Sequence, residues 1–255
     1  MEGWSCATVI EDEDVRSKML DVRWHQPLAR DLVPPYSASR LKQLEVQRLG
    51  RRLYSEVWEY QKNLMEQRKK GRILDTLILV EHEPVYTLGK NGDENHLLQS
   101  RRREIPVFRT ERGGDVTYHG PGQLVGYPIL DLHDHRMSVS WYMRSLEEVL
   151  ISTLADFDIT AERQGGVTGI WVGDQKIASL GVRLSQWVSM HGFAFNVNTD
   201  LSYFDGIIPC GIFESGVTSM EKVLDAKQSL NAVERVVENQ FRAIFGFERK
   251  VKTGE

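Results

Sequence analysis

The amino-acid sequence predicts an α/β protein of the α+β type, with a mixed, largely antiparallel sheet and flanking helices. Short apolar segments with strand character alternate with amphipathic helical segments, and tight turns join several of the strands. Hairpins outnumber strand–helix–strand units, which disfavours a doubly wound parallel sheet. The chain has 255 residues, 41% of them hydrophobic and 27% charged, a composition typical of a globular protein with one large core.

The beginning of the chain differs from the rest. Residues 1–44 are mixed in charge and weakly periodic, and we expect a leader with little packed structure. A single domain is expected at 45–250. A helix is predicted over 51–70, and Gly71 would end it. The apolar face of this helix is expected to consist of Leu53, Val57, Tyr60 and Leu64.

Apolar periodicity predicts the remaining elements. Strands are predicted at 74–80, 106–110, 123–132, 169–172, 175–184 and 189–197. A Gly-Asp pair at 173–174 forms a hairpin-type turn. Ser138 is the N-cap of a helix that extends to about Phe157. Its inner face is expected to consist of Trp141, Leu146, Val149, Leu150 and Leu154. A last helix is predicted to begin near Asn231, with Glu234 completing a capping box.

Charge and cysteine content exclude several classes of protein. A formal net charge of −4 gives no global field that favours nucleic acid. The apolar runs are too short to cross a bilayer, and acidic residues at 11–14 stand where a secretory signal needs a basic and then an apolar stretch. Two cysteines, Cys6 and Cys210, cannot build a disulfide framework, which favours a reducing compartment, most simply the cytoplasm.

A glycine-rich segment at 112–123 predicts a shaped loop around a ligand. Its four glycines and one proline are interrupted by Thr117, Tyr118 and His119. Glycine lets backbone N–H groups approach a ligand closely, Arg112 can bind a carboxylate or phosphate, and His119 can transfer a proton. The Gly-Lys-Ser/Thr of a phosphate-binding loop is missing. The alternative is that the segment is a turn-rich connection between strands and binds no ligand.

Two further residues have side chains suited to nucleophilic attack and proton transfer. Cys210 is flanked by a proline and a glycine, which indicates a thiol on a rigid, tightly turning backbone and a candidate nucleophile. Lys176 follows the predicted hairpin turn and shares a strand face with Ala178 and Leu180, so its ammonium is partly desolvated and suited to proton transfer. When each residue is considered alone, the alternative for Cys210 is a buried structural cysteine, and the alternative for Lys176 is a lysine on a strand face that is exposed to solvent.

Together, four motifs resemble those of the lipoyl(octanoyl) transferase family. They are Arg112-Gly113-Gly114-x-x-Thr117-Tyr118-His119-Gly120-Pro121-Gly122-Gln123, Gly169-Ile170-Trp171-Val172-Gly173-x-x-Lys176-Ile177, His191-Gly192-x-Ala194-x-Asn196 and Pro209-Cys210-Gly211. Their order and spacing also match, and the resemblance covers roughly residues 46–247. It implies a fold like the catalytic domain of biotin and lipoate protein ligases, with 45–250 as the catalytic domain.

The resemblance also implies a reaction and its residues. In that family a cysteine takes the octanoyl group from octanoyl–acyl carrier protein as a thioester, and the group then passes to a lysine of a lipoyl domain. Carried over, Cys210 is the nucleophile and Lys176 its activating partner. The implied substrate-binding residues are Arg112, Gly113, Gly114, Asp115, Val116, Thr117, Tyr118, His119, Ser179, Leu180, Gly181, Gly192, Phe193 and Ala194. Walls for the octanoyl tail are expected from Val116, Tyr118, Leu180 and Phe193.

The implied chemistry exchanges one thioester for another and then forms an amide, so no metal, ATP or other cofactor is expected. The expected donor is octanoyl–acyl carrier protein. The expected acceptors are lipoyl domains of 2-oxoacid dehydrogenase complexes and the glycine cleavage H protein. Neither nucleic acid nor a membrane is expected as a partner, and a monomer is expected. Arg101–Arg103, Arg109 and Arg112 form a basic cluster that is a candidate docking surface for the acidic carrier protein.

Three other functions remain open at the level of sequence. An ATP-dependent lipoate or biotin protein ligase would share the fold, and a non-catalytic module that binds lipoyl domains would share the pocket. A cysteine hydrolase with His119 or His191 as base would need a carboxylate or amide to orient the imidazole.

Overall fold

The computed structural model describes residues 8–10, 42–208 and 216–248. The strands within these ranges are β1 (Thr8–Ile10), β2 (Leu44–Arg52), β3 (Asp75–His82), β4 (Val85–Leu88), β5 (Val107–Arg109), β6 (Val116–His119), β7 (Gln123–Ile129), β8 (Ile170–Val172), β9 (Gln175–Ser185) and β10 (Val188–Asn196). The α-helices are α1 (Tyr54–Lys69), α2 (Val139–Ala155), α3 (Met220–Leu224) and α4 (Leu230–Phe245). None of these helices has the length and apolar character needed to cross a lipid bilayer.

Seven of the described strands form one mixed sheet. Its order is β1-β9-β10-β7-β3-β2, with β8 paired to the beginning of β9. Four of its pairings are antiparallel, and two, β1 with β9 and β2 with β3, are parallel. A smaller sheet has the order β5-β4-β6. The predicted mixed, largely antiparallel sheet with flanking helices is therefore confirmed.

Helices cover both faces of the large sheet. Alternate residues of β3 point to opposite faces, so Ile78 packs in one apolar cluster and Leu77 in another. Helix α1 packs on the Ile78 side, against β7 and β10. Helices α2 and α4 pack against each other on the Leu77 side. The β9–β10 hairpin is thus held between two cores, which gives it a rigid position.

The termini of the later helices decide two of the predictions. Ser138 caps α2 by accepting the N–H of Trp141 at 3.3 Å, as predicted, and the five expected inner residues of α2 are all buried. Helix α4 begins at Leu230, close to the predicted start near Asn231, but the predicted capping box is wrong, because Ser229 is the N-cap and accepts the N–H of Ala232. A capping box from Ser229 would need an acidic side chain at 232, and Glu234 instead pairs with Arg48 at 3.2 Å.

The buried face of α1 also differs from the prediction. Leu53 and Tyr60 are 52% and 38% exposed, whereas Tyr54 and Gln61 are buried. The buried face is therefore rotated by one residue at these positions. Gln61 is buried because its Oε1 accepts the backbone N–H of His191 in β10 at 2.9 Å. A pattern of apolar residues does not reveal such a buried polar contact.

Part of the predicted leader is ordered on the sheet. Thr8–Ile10 pairs in parallel with Val182–Leu184 of β9. The expectation of little packed structure therefore does not hold for this short strand. The remainder of the predicted leader up to residue 41 lies outside the described residues.

Candidate active site

A cavity lies where the β9–β10 hairpin meets the glycine-rich loop. Its volume is about 550 Å³ when the adjoining open solvent is included. Its walls are Tyr54, Arg112, Gly114, Asp115, Val116, Thr117, His119, Val125, Tyr127, Lys176, Ser179, Leu180, Gly181, His191, Gly192, Phe193 and Ala194. The fold thus brings Lys176 together with twelve of the fourteen residues proposed to bind substrate.

Lys176 enters the cavity from the beginning of β9. Its side chain is buried, and Nζ lies 5.1 Å from the centre of the Trp171 ring. Gly169 leaves room for it, since a Cβ there would lie 2.4 Å from the Lys176 Cε. No carboxylate of the described residues pairs with this ammonium. Lysine is almost never buried without a partner, so this environment favours a functional lysine over a solvated strand lysine.

Cys210 lies outside the described residues, but the chain on both sides of it is anchored. On one side, the backbone N–H of Ile208 donates to the carbonyl of His96 at 2.9 Å. On the other side, the carbonyl of Gly216 accepts the backbone N–H of Lys176 at 2.9 Å. Gly216, six residues after Cys210 in the sequence, is therefore held directly beside Lys176.

The guanidinium of Arg112 fixes the glycine-rich loop. Its Nη2 donates to the carbonyl of Thr87 and to that of Asp115, both at 2.7 Å, and its Nη1 donates to the carbonyl of Gly113 at 2.9 Å. This corrects the expectation that Arg112 binds a carboxylate or phosphate of a ligand. Its donors hold backbone carbonyls, so its contribution is the shape and the positive potential of the loop.

Two of the proposed substrate-binding residues do not line the cavity. Gly113 packs directly on β9, where its N–H donates to the carbonyl of Val182 at 3.0 Å. Gly181 permits this approach, because a Cβ there would lie 2.7 Å from the Gly113 carbonyl oxygen. Tyr118 stacks on Tyr203 at 4.5 Å in a separate apolar cluster. The expectation that Tyr118 is a wall of the slot is therefore corrected.

His119 is a neutral, fully engaged side chain. Its Nδ1 lies 2.8 Å from the Gln123 Oε1, its Nε2 lies 3.2 Å from the Thr87 Oγ1, and its ring stacks on Tyr54. Burial lowers the pKa of His119 to about 3, and nearby positive charge adds to this effect. His119 therefore has no free nitrogen for proton transfer, which corrects that expectation and argues against a hydrolase that uses it as base.

Three walls of the cavity were not predicted from the sequence. Tyr54 comes from the first turn of α1, and Val125 and Tyr127 come from β7. Val125 lies beside Ala194 because β7 pairs with β10 in the sheet. The alternation of residues along 123–132 indicated a strand. It did not indicate that this strand lies beside β10, because the order of strands in the sheet depends on the tertiary structure. His191 also lines the cavity, although the sequence indicated it only as a motif residue and as a base of the alternative cysteine hydrolase.

The cavity combines an apolar slot with one buried cation. Val116, Leu180 and Phe193 supply apolar surface, and Lys176 supplies the ammonium. Among the described residues, no cluster of His, Cys, Asp or Glu has the arrangement of a metal site. An apolar slot beside a buried ammonium, on a rigid hairpin, is suited to a ligand that has an apolar chain and a polar head.

Comparison with known proteins agrees with this chemistry. Residues 53–242 match the family model of the lipoyl protein ligase A/B catalytic domain. An octanoyltransferase of Gloeobacter violaceus is 50% identical over 194 residues, which cover 76% of this chain and 86% of the relative. An octanoyltransferase of Solibacter usitatus is 50% identical over 207 residues, covering 80% and 93%. A chloroplastic octanoyltransferase of Arabidopsis thaliana is 44% identical over 188 residues, covering 71% and 67%.

Solved structures give the same fold. A bipartite lipoate protein ligase of Thermoplasma acidophilum has a TM-score of 0.64 at 15% identity, over 84% of this chain and 88% of that one. A lipoate-protein ligase A bound with ATP has a TM-score of 0.60 at 15% identity, over 84% and 90%. The chain belongs to the lipoyl protein ligase A/B catalytic-domain family, and within it to the octanoyltransferases, as its motifs predicted.

Proposed function

We propose that the protein transfers an octanoyl group from octanoyl–acyl carrier protein to a lysine of lipoyl domains, through a thioester on Cys210. This would be the first step in making the lipoate cofactor of 2-oxoacid dehydrogenase complexes and of the glycine cleavage H protein. The observation that carries the proposal is Lys176, a buried ammonium without a carboxylate partner among the described residues, at the wall of an apolar slot. A reducing compartment such as the cytoplasm would keep Cys210 as a thiol.

The first step exchanges one thioester for another. The thiolate of Cys210 attacks the carbonyl carbon of octanoyl–acyl carrier protein, a new C–S bond forms, and the carrier's sulfur leaves and takes up a proton. An ordinary thiol has a pKa of about 8.5 and is only a few per cent thiolate at neutral pH. The positive charge of Lys176 would favour the thiolate. Because the two thioesters are nearly equal in energy, this step needs no ATP.

The second step forms an amide and frees the cysteine. The acceptor lysine of the lipoyl domain attacks the Cys210 thioester, a C–N bond forms, and the C–S bond breaks. The attacking amine loses one proton, and Lys176, after giving its own proton to the departing carrier sulfur, is the group placed to accept it. The amide is much more stable than the thioester, so this step drives the transfer.

Three other functions are disfavoured by particular observations. A cysteine hydrolase would need an imidazole base, but His119 is neutral with both nitrogens engaged. The ATP-bound lipoate-protein ligase A shares the fold but is 15% identical in sequence to this chain, whereas an octanoyltransferase is 50% identical. A non-catalytic lipoyl-domain module would have no need of a buried lysine beside the slot.

Intact mass spectrometry after mixing the protein with octanoyl–acyl carrier protein, without ATP, tests the proposal. We expect one octanoyl adduct on the wild-type protein and none on Cys210→Ser, because an alcohol is a far weaker nucleophile than a thiolate. Adding a lipoyl domain should move the adduct to that domain. An adduct that forms equally on Cys210→Ser, or only when ATP is present, contradicts the mechanism.

The basic docking surface is smaller than the sequence predicted. Arg112 is buried, and Arg109 pairs with Glu94 at 2.8 Å. Arg102 and Arg103 are exposed. The guanidinium of Arg102 lies 3.9 Å from the centre of the Tyr203 ring. The Tyr203 ring in turn stacks on the ring of Tyr118, which belongs to the glycine-rich loop. Arg102 and Arg103 are therefore the two arginines best placed to bind an acidic carrier protein next to the site.

Reversing both charges, in Arg102→Glu with Arg103→Glu, is expected to raise the KM for octanoyl–acyl carrier protein about tenfold at low salt and to flatten its salt dependence. The kcat at saturating donor should change little, since neither side chain lines the cavity. The matched control is Arg235→Glu, on the exposed face of α4. A KM that is unchanged, or raised equally by the control, would rule out this docking surface.

A further inference from the structure

The beginning of β9 has a different neighbour from the rest of the strand. Pairing of β9 with β10 starts only at Ala178. At Lys176 the neighbouring backbone is that of residues 216–218, which run parallel to β9. The N–H of Lys176 donates to the carbonyl of Gly216 at 2.9 Å, and the carbonyl of Lys176 accepts the N–H of Thr218 at 3.0 Å. Both backbone groups of Lys176 are therefore bonded to the 216–218 segment.

The side chain of Asn196, the last residue of β10, fastens the 216–218 segment to the sheet. Its Nδ2 donates to the carbonyl of Thr218 at 3.1 Å. Its Oδ1 accepts from the Nε2 of Gln123, the first residue of β7, at 3.0 Å. Both of these amide side chains are buried. Asn196 thus connects two strands of the sheet to the residue that bonds the carbonyl of Lys176.

The direction of each hydrogen bond around Asn196 follows from two backbone carbonyls, which can only accept. Asn196 must turn its amide nitrogen toward the carbonyl of Thr218. Gln123 likewise turns its nitrogen toward the carbonyl of Tyr118, at 3.1 Å. The Oε1 of Gln123 therefore faces the Nδ1 of His119 at 2.8 Å, and this ring nitrogen carries the proton.

The same chain of hydrogen bonds continues from His119 to the guanidinium of Arg112. With the proton on Nδ1, the Nε2 of His119 has a lone pair, so the Thr87 hydroxyl donates to it at 3.2 Å. The Thr87 oxygen in turn accepts from the Nη2 of Arg112 at 2.9 Å. All five links from Arg112 to Thr218 thus donate in one direction, away from the positive charge. Hydrogen bonds in such a buried chain strengthen one another, so the cation at its beginning reinforces the last link, at Asn196.

We propose that Asn196 is a positioning residue for the transfer reaction, and that it sets the place of Lys176 relative to Cys210 by holding the 216–218 segment at the beginning of β9. This inference rests on the proposed function. The 216–218 segment follows Cys210 in the chain and bonds to the backbone of Lys176, so its position affects both members of the dyad. A misplacement of about 1 Å can slow a reaction by about 100-fold. Loss of the Asn196 amide should therefore slow the chemical steps and leave donor binding intact.

The single-turnover rate of Cys210 acylation by octanoyl–acyl carrier protein, measured from pH 6.5 to 9.5 in Asn196→Ala, tests this inference. We expect the maximal rate near pH 7 to fall by about tenfold to 100-fold, with little change in the donor concentration that gives half of it. The deficit should shrink as the pH approaches about 8.5, where an ordinary thiol ionises without help from Lys176. Asn198→Ala is the matched control, because the Asn198 side chain bonds both backbone groups of Gln228, each at 2.8 Å.

A loss of rate that is equal at every pH, or that Asn198→Ala shares, overturns the inference, because it would reflect stability alone. Hydrogen exchange followed by mass spectrometry reports on the 216–218 segment directly. The backbone amides of Lys176 and Thr218 should exchange faster in Asn196→Ala, while those of β3 stay protected. Unchanged protection of both amides overturns the inference. This readout needs no acyl transfer, so it remains valid if the wild type forms no octanoyl adduct, a result that would reject the proposed function.

The direction of the hydrogen-bond chain can be tested in the wild-type protein, even if Asn196→Ala does not fold. NMR of protein with isotope-labelled histidine shows which ring nitrogen of His119 carries the proton at pH 7.5, and we expect Nδ1. A proton on Nε2 would require Gln123 to turn its amide around. Asn196 would then have to turn with it and would lose its bond to Thr218, so this result also overturns the inference.

Discussion

Replacing Lys176 with methionine is expected to slow acylation of Cys210 by about 10² to 10⁴, the usual contribution of a positioned proton-transfer group. Methionine keeps the length and the packing against Trp171 but removes the ammonium, which lies 5.1 Å from that ring. Without the charge, less of the Cys210 thiol is thiolate at neutral pH. Transfer from the thioester to the lipoyl domain should slow as well, since the attacking amine loses its proton acceptor.

The measurement is the single-turnover rate of adduct formation and of its transfer, each followed by intact mass from pH 6.5 to 9.5. Acylation of Lys176→Met should recover as the pH approaches about 8.5, where an ordinary thiol ionises by itself. Lys62→Met is the matched control, because the Lys62 ammonium lies 3.7 Å from the Trp58 ring outside the cavity. Lys176 would have no role in activating the thiol if its replacement left the pH profile of acylation unchanged.

Acid is expected to destabilise the fold strongly between pH 6.5 and pH 4, because three histidines near the site, His82, His119 and His191, are buried with a lowered pKa and are therefore neutral. Burial lowers the pKa of His82 to about 4 and that of His119 to about 3. In the unfolded chain these groups have a pKa of about 6.5. Between the two values the unfolded chain binds more protons than the folded one, so stability is complete above about pH 6.5 and is lost as the pH falls. At 1.36 kcal/mol per pKa unit, His82 alone accounts for roughly 3 kcal/mol.

The free energy of unfolding in urea, measured every half pH unit from 7.5 to 4.5, tests this expectation. Near pH 5 the wild type should lose roughly 1.4 kcal/mol per pH unit for each of these three histidines. His82→Gln should be less stable at pH 7.5 but should have a slope flatter by about one proton. His133→Gln is the control, because His133 is about half exposed. Equal slopes in all three proteins would show that His82 does not cause the acid sensitivity.

Local structure was predictable where one interaction dominates. The inner face of α2 and its Ser138 cap follow from apolar spacing and from one side-chain hydrogen bond, and both predictions are confirmed. The prediction failed for α1 and α4, where long-range contacts compete with local preference. Gln61 is buried by a bond to β10, and Glu234 pairs with Arg48 of β2 instead of capping its own helix.

The glycine-rich loop illustrates the same division at the site. The motif indicated a loop around a ligand, and the loop does line the cavity. Two of its side chains make contacts that the motif did not predict. Arg112 holds backbone carbonyls, and Tyr118 packs away from the cavity on Tyr203. A motif specifies residue types at fixed spacing, whereas the direction of each side chain depends on the neighbours that the fold supplies.

The sequence by itself determined the fold class, through periodicity, and the family, through the resemblance of its motifs, and that resemblance implies the candidate dyad of Cys210 and Lys176. Only the tertiary structure decided which groups are charged and which are free to act. Burial and partners from distant strands make His119 neutral and engaged. Among the described residues they leave both nitrogens of His191 without a hydrogen-bond partner and the ammonium of Lys176 without a carboxylate partner. Burial and hydrogen bonding arise from contacts between segments far apart in the chain, so no local pattern encodes them.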